Sequence, residues 1–596
     1  MTNRLFRRPA GLAVLGLALL GCVGDLGDED DDGGGDGAGA GGPGNGIDSF
    51  ACDASLIPAS VPLRRLSKVQ YRNAIRDLVT ELFPVDADLV RDGVEPMFQG
   101  FPNDKRSGPL GDYGAYTRLD QTVHQETVDA TYTIGTFVGK EATSTDERLS
   151  DAVGDCATNG DGSDDDACLD DFISRFGERA LRRPLTDEDI AFYRDVAGPA
   201  PFEPADYADV IGMLLMAPEL VYFVENGTGD GEVPAAALSD YELASRLSFH
   251  FWQTIPDAQL MNAARTGALS TPEGYDAEVE RLLDDPRTRE AVATFFSEWL
   301  YKEDLGELDS RVGTPVFDAF AGDFVPGPDL RERMFGELTD MGVYYSLDSE
   351  GTFESFFESN QSFARTDDLA TLYGVPVWDG ESAPPAFTDS AHAGLITRAA
   401  LVATGSANTR PIMKGVFLRK ALLCDDIPPP PDNAAGDPPE LSPTATTREV
   451  VEQITQQEGS QCSGCHATRI NPLGFATENF DALGRIRTEQ TLFDSETGEV
   501  IGSKPVDTTS QPRVTSDDGS QSTGATDLSR LMVDSGVPQA CFVRQYFRFT
   551  FGRAEDVVSD GCGLASMHER VLAGDSLRSV LREVAFTTAF KMRSFD

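Results

Sequence analysis

Hydrophobic and polar residues recur along most of the chain with the spacing of amphipathic helices. Three segments open with a leucine, a serine or threonine that can cap a helix, and a polar partner three positions after the cap, at 66–70, 185–189 and 238–242. The hydroxyl accepts from the third helical amide, and the partner side chain accepts from the cap. Apolar residues then follow at helical intervals, as in Leu243, Leu247 and Phe251. Because alternating strand patterns are scarce, the sequence predicts a mainly α protein.

Breaks in composition divide the chain into helical modules in series. Gly/Asp-rich stretches occur at 156–168 and near 227–233, and the proline-rich stretch at 427–443 is typical of a stiff, extended linker. The predicted organisation is a signal peptide at 1–21, a tether at 22–50, helical modules at 51–155, 156–230, 231–386 and 387–426, the linker at 427–443, and a C-terminal module at 444–596.

The first 22 residues have the build of a secretory signal. Arginines precede an apolar run at 10–20 that is too short to span a bilayer. The run ends in LLGC at 19–22, which resembles a bacterial lipobox, where the cysteine is acylated and becomes the new N-terminus. The sequence therefore predicts an exported protein that is lipid-anchored through Cys22 in the outer membrane or at the cell surface, on the periplasmic or extracellular face. An ordinary signal peptide is the alternative.

The charge balance restricts the partners. With 49 basic and 99 acidic residues, the formal net charge is −50. Such a chain is repelled by nucleic acid and by anionic lipid surfaces. We therefore expect no nucleic-acid partner, and contact with the membrane only through the lipid anchor.

The cysteine count predicts disulfides. Of nine cysteines, one is the acylation site and two belong to a CxxCH motif, which leaves six. An even number in an oxidising compartment predicts three bridges, and six cysteines allow 15 pairings. The predicted bridges are Cys156–Cys168, which bracket a short polar loop, then Cys541–Cys562, and by elimination Cys52–Cys424.

The loop at 156–168 also carries oxygen ligands in near EF-hand order. They are Asn159, Asp161, Ser163 and Asp170. The loop lacks the glycine at the sixth position and the final glutamate of a calcium loop. A solvated loop closed by a disulfide is the favoured interpretation, with calcium as the alternative.

The sequence QCSGCH at 461–466 holds two cysteines three apart and a histidine directly after them. In c-type cytochromes the two thiols bind the haem covalently and the adjacent imidazole binds the iron. Structural zinc needs four ligands, usually as two such pairs, and a thioredoxin-like site needs a βαβ context. Neither accompanies this motif, so haem is favoured over zinc and redox disulfide, and chance occurrence is the remaining alternative.

A short helix is predicted ahead of the motif, starting at a capping box of Thr446 and Glu449, with Val450, Val451 and Ile454 on one face. The motif itself assigns one covalent haem c to Cys462 and Cys465, with His466 as the proximal iron ligand. Since a ligating imidazole donates its other N–H to an acceptor, we expect the Pro472 carbonyl to orient His466. An apolar cavity for the haem is predicted from C-terminal residues, namely Phe542, Tyr546, Leu581 and Val584.

The segment at 462–487 resembles the haem-type segment of the planctomycete-type cytochrome c family, large secreted bacterial proteins that are also found in myxobacteria. Further motifs follow the order of the family, at 63–78, 180–186, 240–252 with 285–287, 394–399, and 541–545 with 551–553. The resemblance implies a cytochrome-c-like C-terminal part and haem binding, but no established reaction. Many members carry a methionine where this chain has Ile470, which leaves the sixth iron ligand open, and Met532 is the first choice.

These patterns predict an exported, lipid-anchored c-type haem protein that serves in electron transfer with a redox partner protein. If the chain is an enzyme, the expected class is a haem-dependent oxidoreductase. No HExxH or GxSxG motif occurs, and no catalytic residue is assigned. The alternative is a non-haem scaffold or binding protein at the cell surface, with a carbohydrate or protein partner.

The anchor prediction is tested at Cys22. Mature protein should begin at this residue and partition with membranes, because an acylated cysteine inserts its chains into the bilayer. In the Cys22→Ser variant, cell fractionation should find released protein or unprocessed precursor. Membrane recovery equal to that of the unaltered protein would contradict the anchor.

Overall fold

The computed structural model describes residues 49–108, 113–228, 234–392, 394–428 and 441–595, with Gln461 described by its backbone alone. Cys22, the signal peptide and most of the tether lie outside these residues. The prediction of a mainly α protein is confirmed. Within the described ranges, no helix has both the length and the apolar character that a bilayer crossing requires.

The helices fall into three stretches of the chain. The first contains α1 (Lys68–Leu82), α2 (Ala87–Val94), α3 (Gln125–Ala142), α4 (Asp146–Ala152), α5 (Asp165–Leu181), α6 (Asp187–Ala197), α7 (Pro204–Leu215) and α8 (Pro218–Val221). The central stretch contains α9 (Asp240–Phe251), α10 (Ala258–Arg265), α11 (Pro272–Asp284), α12 (Thr288–Trp299), α13 (Pro315–Ala321), α14 (Leu330–Val343), α15 (Phe353–Phe357) and α16 (Asp367–Tyr373). The last contains α17 (Ala399–Val402), α18 (Pro411–Phe417), α19 (Thr447–Thr455), α20 (Gln461–Cys465), α21 (Asn471–Phe475), α22 (Ala525–Asp534), α23 (Val537–Phe551), α24 (Gly561–Leu572), α25 (Leu577–Glu583) and α26 (Thr588–Lys591).

Tighter and wider turns supplement these helices. Segments of 3₁₀ helix occur at Glu95–Gly100, Thr117–Leu119, Asp155–Ala157, Ala268–Ser270, Leu395–Thr397 and Val584–Phe586. Turns of π type occur at Tyr344–Asp348, Leu418–Leu422 and His466–Ile470. The last of these turns begins at the histidine of the CxxCH motif.

The predicted capping boxes start their helices. At α1, Ser67 Oγ accepts from the Gln70 amide at 3.1 Å, and the Gln70 side chain accepts from the Ser67 amide at 3.0 Å. Reciprocal pairs of the same kind begin α6, α9 and α19. The apolar face predicted for α19 is only partly correct, because Val451 is buried whereas Ile454 is 51% exposed.

Two apolar cores fill the described chain. One takes side chains from 66 to 255 and packs α1, α3, α5 and α7 together, so that the first two predicted modules share it. The other runs from 116 to 590 and joins the central helices to the C-terminal ones. The cytochrome-like arrangement of the C-terminal part stays a prediction.

Short antiparallel strands connect distant parts of the chain. Strand β1 (Arg64–Arg65) pairs with β2 (Tyr222–Phe223), and β3 (Ala235–Ala237) pairs with β6 (Met592–Ser594). Strands β4 (Glu489–Phe493) and β5 (Val500–Pro505) form a hairpin. The β3–β6 pair brings the C-terminus back to the start of the central stretch.

The disulfides agree with the sequence prediction in one bridge and correct it in two. Cys156–Cys168 is present. The predicted Cys541–Cys562 and Cys52–Cys424 bridges are wrong, because the structure pairs Cys52 with Cys562 and Cys424 with Cys541.

The physical reason for the corrected pairing lies in the N-terminal segment, which runs along α24. A Cβ on Gly561 would lie 2.1 Å from the Ala51 carbonyl oxygen, and the Phe50 ring contacts His568 edge to face. This close packing brings Cys52 to Cys562. Cys541 instead lies on the buried helix α23, where the chain after the π turn at 418–422 reaches it.

The long-range bridge should stabilise the fold more than the local one. Removing Cys52–Cys562, which spans 510 residues, by a double change to serine should cost about 3–5 kcal/mol of unfolding free energy. Removing Cys156–Cys168, which spans 12, should cost about 2–3 kcal/mol. Urea unfolding of both double variants measures the difference. An equal or smaller loss from the long-range bridge would contradict this order.

Candidate functional site

The CxxCH motif lies on one continuous helical path. Ser460 caps α20, its hydroxyl accepting from the Ser463 amide at 3.2 Å. Residues three apart on a helix lie on the same side, so Cys462 and Cys465 are neighbours along one face. Both are half-buried, and neither takes part in the three disulfides.

His466 is oriented by the side chain of Asn471. The His466 Nδ1 lies 3.1 Å from Asn471 Oδ1. Asn471 is fully buried, and its Nδ2 donates to Thr455 Oγ1 at 2.9 Å, while that hydroxyl donates to the Val451 carbonyl. This chain of bonds fixes the amide oxygen toward the imidazole, which places the proton on Nδ1. The lone pair is then on Nε2, the nitrogen available to a metal.

The predicted role of Pro472 is wrong. Its carbonyl accepts from Ser510 Oγ at 2.7 Å instead of from His466. Pro472 is in the first turn of α21, and the carbonyls of a helix point toward its C-terminus, away from the residues before it. The acceptor is therefore a side chain one position earlier.

The π turn at 466–470 follows from the same proline. Pro472 has no N–H to donate to Thr468, its partner in an α-helix, and the Asn471 amide donates to the His466 carbonyl five residues back. Arg419, on the neighbouring π turn, donates to the Arg469 carbonyl through Nη2 at 3.0 Å and Nε at 3.2 Å. Burial lowers the pKa of Arg419 to about 10, which still leaves it charged.

Two glycines let α18 and the CxxCH segment approach backbone to backbone. A Cβ on Gly415 would lie 2.0 Å from the Ile470 carbonyl oxygen, and one on Gly474 would lie 1.9 Å from the Pro411 carbonyl oxygen. Neither distance is compatible with a side chain, so the crossing of α18 with α21 requires glycine at both positions.

A buried ionic cluster also holds α18. Lys414 Nζ lies 2.8 Å from Glu478 Oε1, and both side chains are 2% exposed. Arg487 and Thr409 also donate to Glu478. Burial alone would raise the pKa of Glu478, but the charges of Lys414 and Arg487 hold it below its ordinary value. The carboxylate therefore stays ionised and holds the chain beyond α21 against α18.

The predicted apolar wall and distal ligand lie elsewhere. Phe542 packs on Phe295 and Trp299 of α12, and Tyr546 contacts His250. Leu581 and Val584 are buried in the same core. The π turn at 466–470 packs instead on α18, α19 and α21. The predicted wall from the C-terminal helices is therefore wrong.

Met532, the first choice for a distal ligand, is fully buried in α22. That helix packs mainly on α23, α15 and residues 395–397. No described contact brings its sulfur to His466.

The calcium alternative finds its oxygens engaged within the protein. Asp161 accepts from the amide and the hydroxyl of Ser163, and Asp170 is paired with Arg194, whose Nε lies 2.6 Å from Oδ1. Among the residues that the structure describes, no group of three or more His, Cys, Asp or Glu is arranged to hold a metal. The Asp170 ion pair removes the last predicted ligand from the loop.

Sequence reasoning missed the residues that hold the motif in place, namely Asn471, Gly415, Gly474, Arg419 and Glu478. A buried asparagine five positions after the histidine and directly before a proline is a usable local signal for Asn471. The other four act across 50 or more residues, or through backbone contacts, and leave no local pattern.

Two family models match the chain. Residues 238–375 match PSD4, described as a protein of unknown function (DUF1592), and residues 392–490 match PSCyt3, described as a protein of unknown function (DUF1588). Both are domain families of the planctomycete cytochrome c type, which confirms the resemblance. The second match includes α18 and the whole CxxCH segment. No curated protein and no solved structure matches the chain.

The glycine crossing is tested by adding one methyl group. Gly474→Ala should destabilise the protein by about 1–3 kcal/mol, because the carbonyl of Pro411 occupies the space and the backbones must separate. Gly464→Ala, in the same segment, meets nothing within 4 Å and should change stability by less than about 1 kcal/mol. Chemical denaturation measures both. Equal stabilities of the two variants would reject the crossing.

Proposed function

We propose that this chain, which carries two domains of the planctomycete cytochrome c type, is an exported, lipid-anchored protein with one covalent haem c that acts in electron transfer. The observation that carries the proposal is that the two cysteines of the CxxCH motif lie outside the disulfides. All six other cysteines of the described chain form disulfides, whereas Cys462 and Cys465 take no part in them.

The imidazole is prepared in the way that an iron ligand requires. Metal-binding histidines donate their second N–H to a fixed acceptor, which sets the tautomer and the ring orientation. Asn471 is that acceptor here, and it is itself held by Thr455.

The surroundings fit a haem at the protein surface. Cys462, Cys465 and His466 are half-buried, so none of the three residues is enclosed in the core. Ile454 on α19, the helix that packs on the π turn, leaves half of its side chain uncovered. Apolar surface of this kind is what a porphyrin would cover.

The roles of the residues follow from this placement. The cysteines would hold the group, His466 would bind through Nε2, Asn471 would keep the proton on Nδ1, and Arg419 would keep the π turn in place. When bound, haem supplies one-electron chemistry that no side chain here provides. The chain's negative charge favours a redox partner with a basic surface, because opposite charges steer encounter.

Covalent haem is tested by expression with a haem-maturation apparatus. The purified mature chain should show the reduced spectrum of haem c, and the colour should remain with the protein after acid–acetone extraction. A Cys462→Ser/Cys465→Ser double variant should lose the covalent haem, because the thioether bonds require both thiols.

The matched control is the Cys156→Ser/Cys168→Ser double variant, which also lacks two cysteines but leaves the motif intact and should retain haem. Folded, unaltered protein that carries no covalent haem would reject the proposal. A surface scaffold or binding protein would then be the better interpretation.

A further inference from the structure

A small cavity lies inside the protein, at α9 and α23, and is separate from the CxxCH segment. Its volume is about 10 Å³, the space that one water-sized particle needs. None of its lining residues is more than 7% exposed. Its polar lining consists of Arg64, Arg118, Arg246, His250 and Thr550. Three guanidinium groups around so small a space are unusual, because charged side chains are rarely buried without a partner.

Two polar atoms of the lining have no hydrogen-bond partner. Arg118 Nη1 is buried and unpartnered, while Nη2 donates to the Phe249 carbonyl at 3.4 Å. His250 Nδ1 is also unpartnered, while Nε2 lies 2.9 Å from the Tyr546 hydroxyl. A buried polar atom without a partner costs about 1–3 kcal/mol, so both atoms indicate a missing occupant.

The positive charge exceeds the negative charge around the cavity. Arg246 is paired with Glu225 through Nε at 2.8 Å. The negative charge of Glu225 also favours the charged form of Arg64. The negative charge of Glu298 favours the charged form of Arg118, but the Glu298 carboxylate accepts its hydrogen bonds from Thr117. Arg64 donates to the Thr550 carbonyl, a neutral acceptor.

Burial lowers the pKa values of Arg64, Arg118 and His250, and neighbouring cations lower those of Arg64 and His250 further. The pKa of Arg64 falls to about 9 and that of Arg118 to about 10, with burial as the main cause. The pKa of His250 lies well below its ordinary value, through burial and the charges of Arg118 and Arg64, so the imidazole is neutral. The arginines still carry their charge at neutral pH and lack a nearby carboxylate for each.

We propose that this cavity binds a single monoatomic anion, a halide such as chloride, between Arg118, Arg64 and His250. The anion accepts from Arg118 Nη1 and offsets charge that a water molecule would leave uncompensated. The Tyr546 hydroxyl has two acceptors within reach, the Leu581 carbonyl at 3.3 Å and His250 Nε2 at 2.9 Å. An anion favours donation to Nε2, because the N–H is then on Nδ1 and can donate to the anion. Sulfate and phosphate are too large for the space.

The site is tested with the full mature chain and with bromide as the probe. Crystals soaked in sodium bromide should show an anomalous peak in the cavity beside Arg118 Nη1. In solution, Tm should rise with chloride or bromide relative to sodium gluconate at equal ionic strength, because a ligand that binds only the folded state stabilises it. Arg118→Met should lose this halide-dependent rise.

The control is Arg530→Met, which removes an arginine whose side chain is 62% exposed and should keep the full halide response. If Arg118→Met does not fold, the anomalous map of the unaltered protein decides alone. A cavity without an anomalous peak, or a Tm that is equal in bromide and gluconate, overturns the proposal and leaves the space to water.

Discussion

The arrangement of the whole molecule depends on the burial of one helix, α23. Every residue of Val537–Phe551 except Arg544 is buried. A helix that is covered all round must be surrounded by the rest of the protein rather than packed on one face of it. Its partners come from all parts of the described chain. Thr550 accepts a hydrogen bond from Arg64, and Gln545 accepts one from Tyr116. Tyr546 contacts His250, Phe542 packs on Phe295, and Cys541 is bonded to Cys424.

This helix also explains why the CxxCH segment has a fixed place although it lies near the surface. The disulfide ties α23 to residue 424, and the π turn directly before that residue carries Arg419. Arg419 binds the carbonyls of 469 and of 512–514, which joins the segment after His466 to the loop beyond β5. The close crossing of α18 and α21 at Gly415 and Gly474 also holds this segment in place. A partly exposed histidine is thereby held in a fixed position by the core.

Local interactions could be predicted from the sequence, and interactions between distant segments could not. The capping boxes and the Cys156–Cys168 bridge depend on residues 3 and 12 positions apart, so their patterns are visible in the chain. The pairing of Cys52 with Cys562 depends on where the N-terminal segment runs, which no local pattern records. The error at Pro472 is different in kind. The right neighbourhood was predicted, but the helical start at Asn471 turns the carbonyl away and presents a side chain instead.

The excess of arginine over lysine acquires a structural reason. Only eight of the 49 basic residues are lysine. Arg182 donates to the carbonyls of Glu219 and Leu220 in α8, and Arg246 donates to those of Ala589 and Phe590 in α26. Both helices have only four residues, so these carbonyls have no following helical turn to accept from. The planar guanidinium spreads several donors over such an end, whereas an ammonium group offers a compact point charge. In a chain of many short helices, buried arginine therefore supplies the donors that a further helical turn would have supplied.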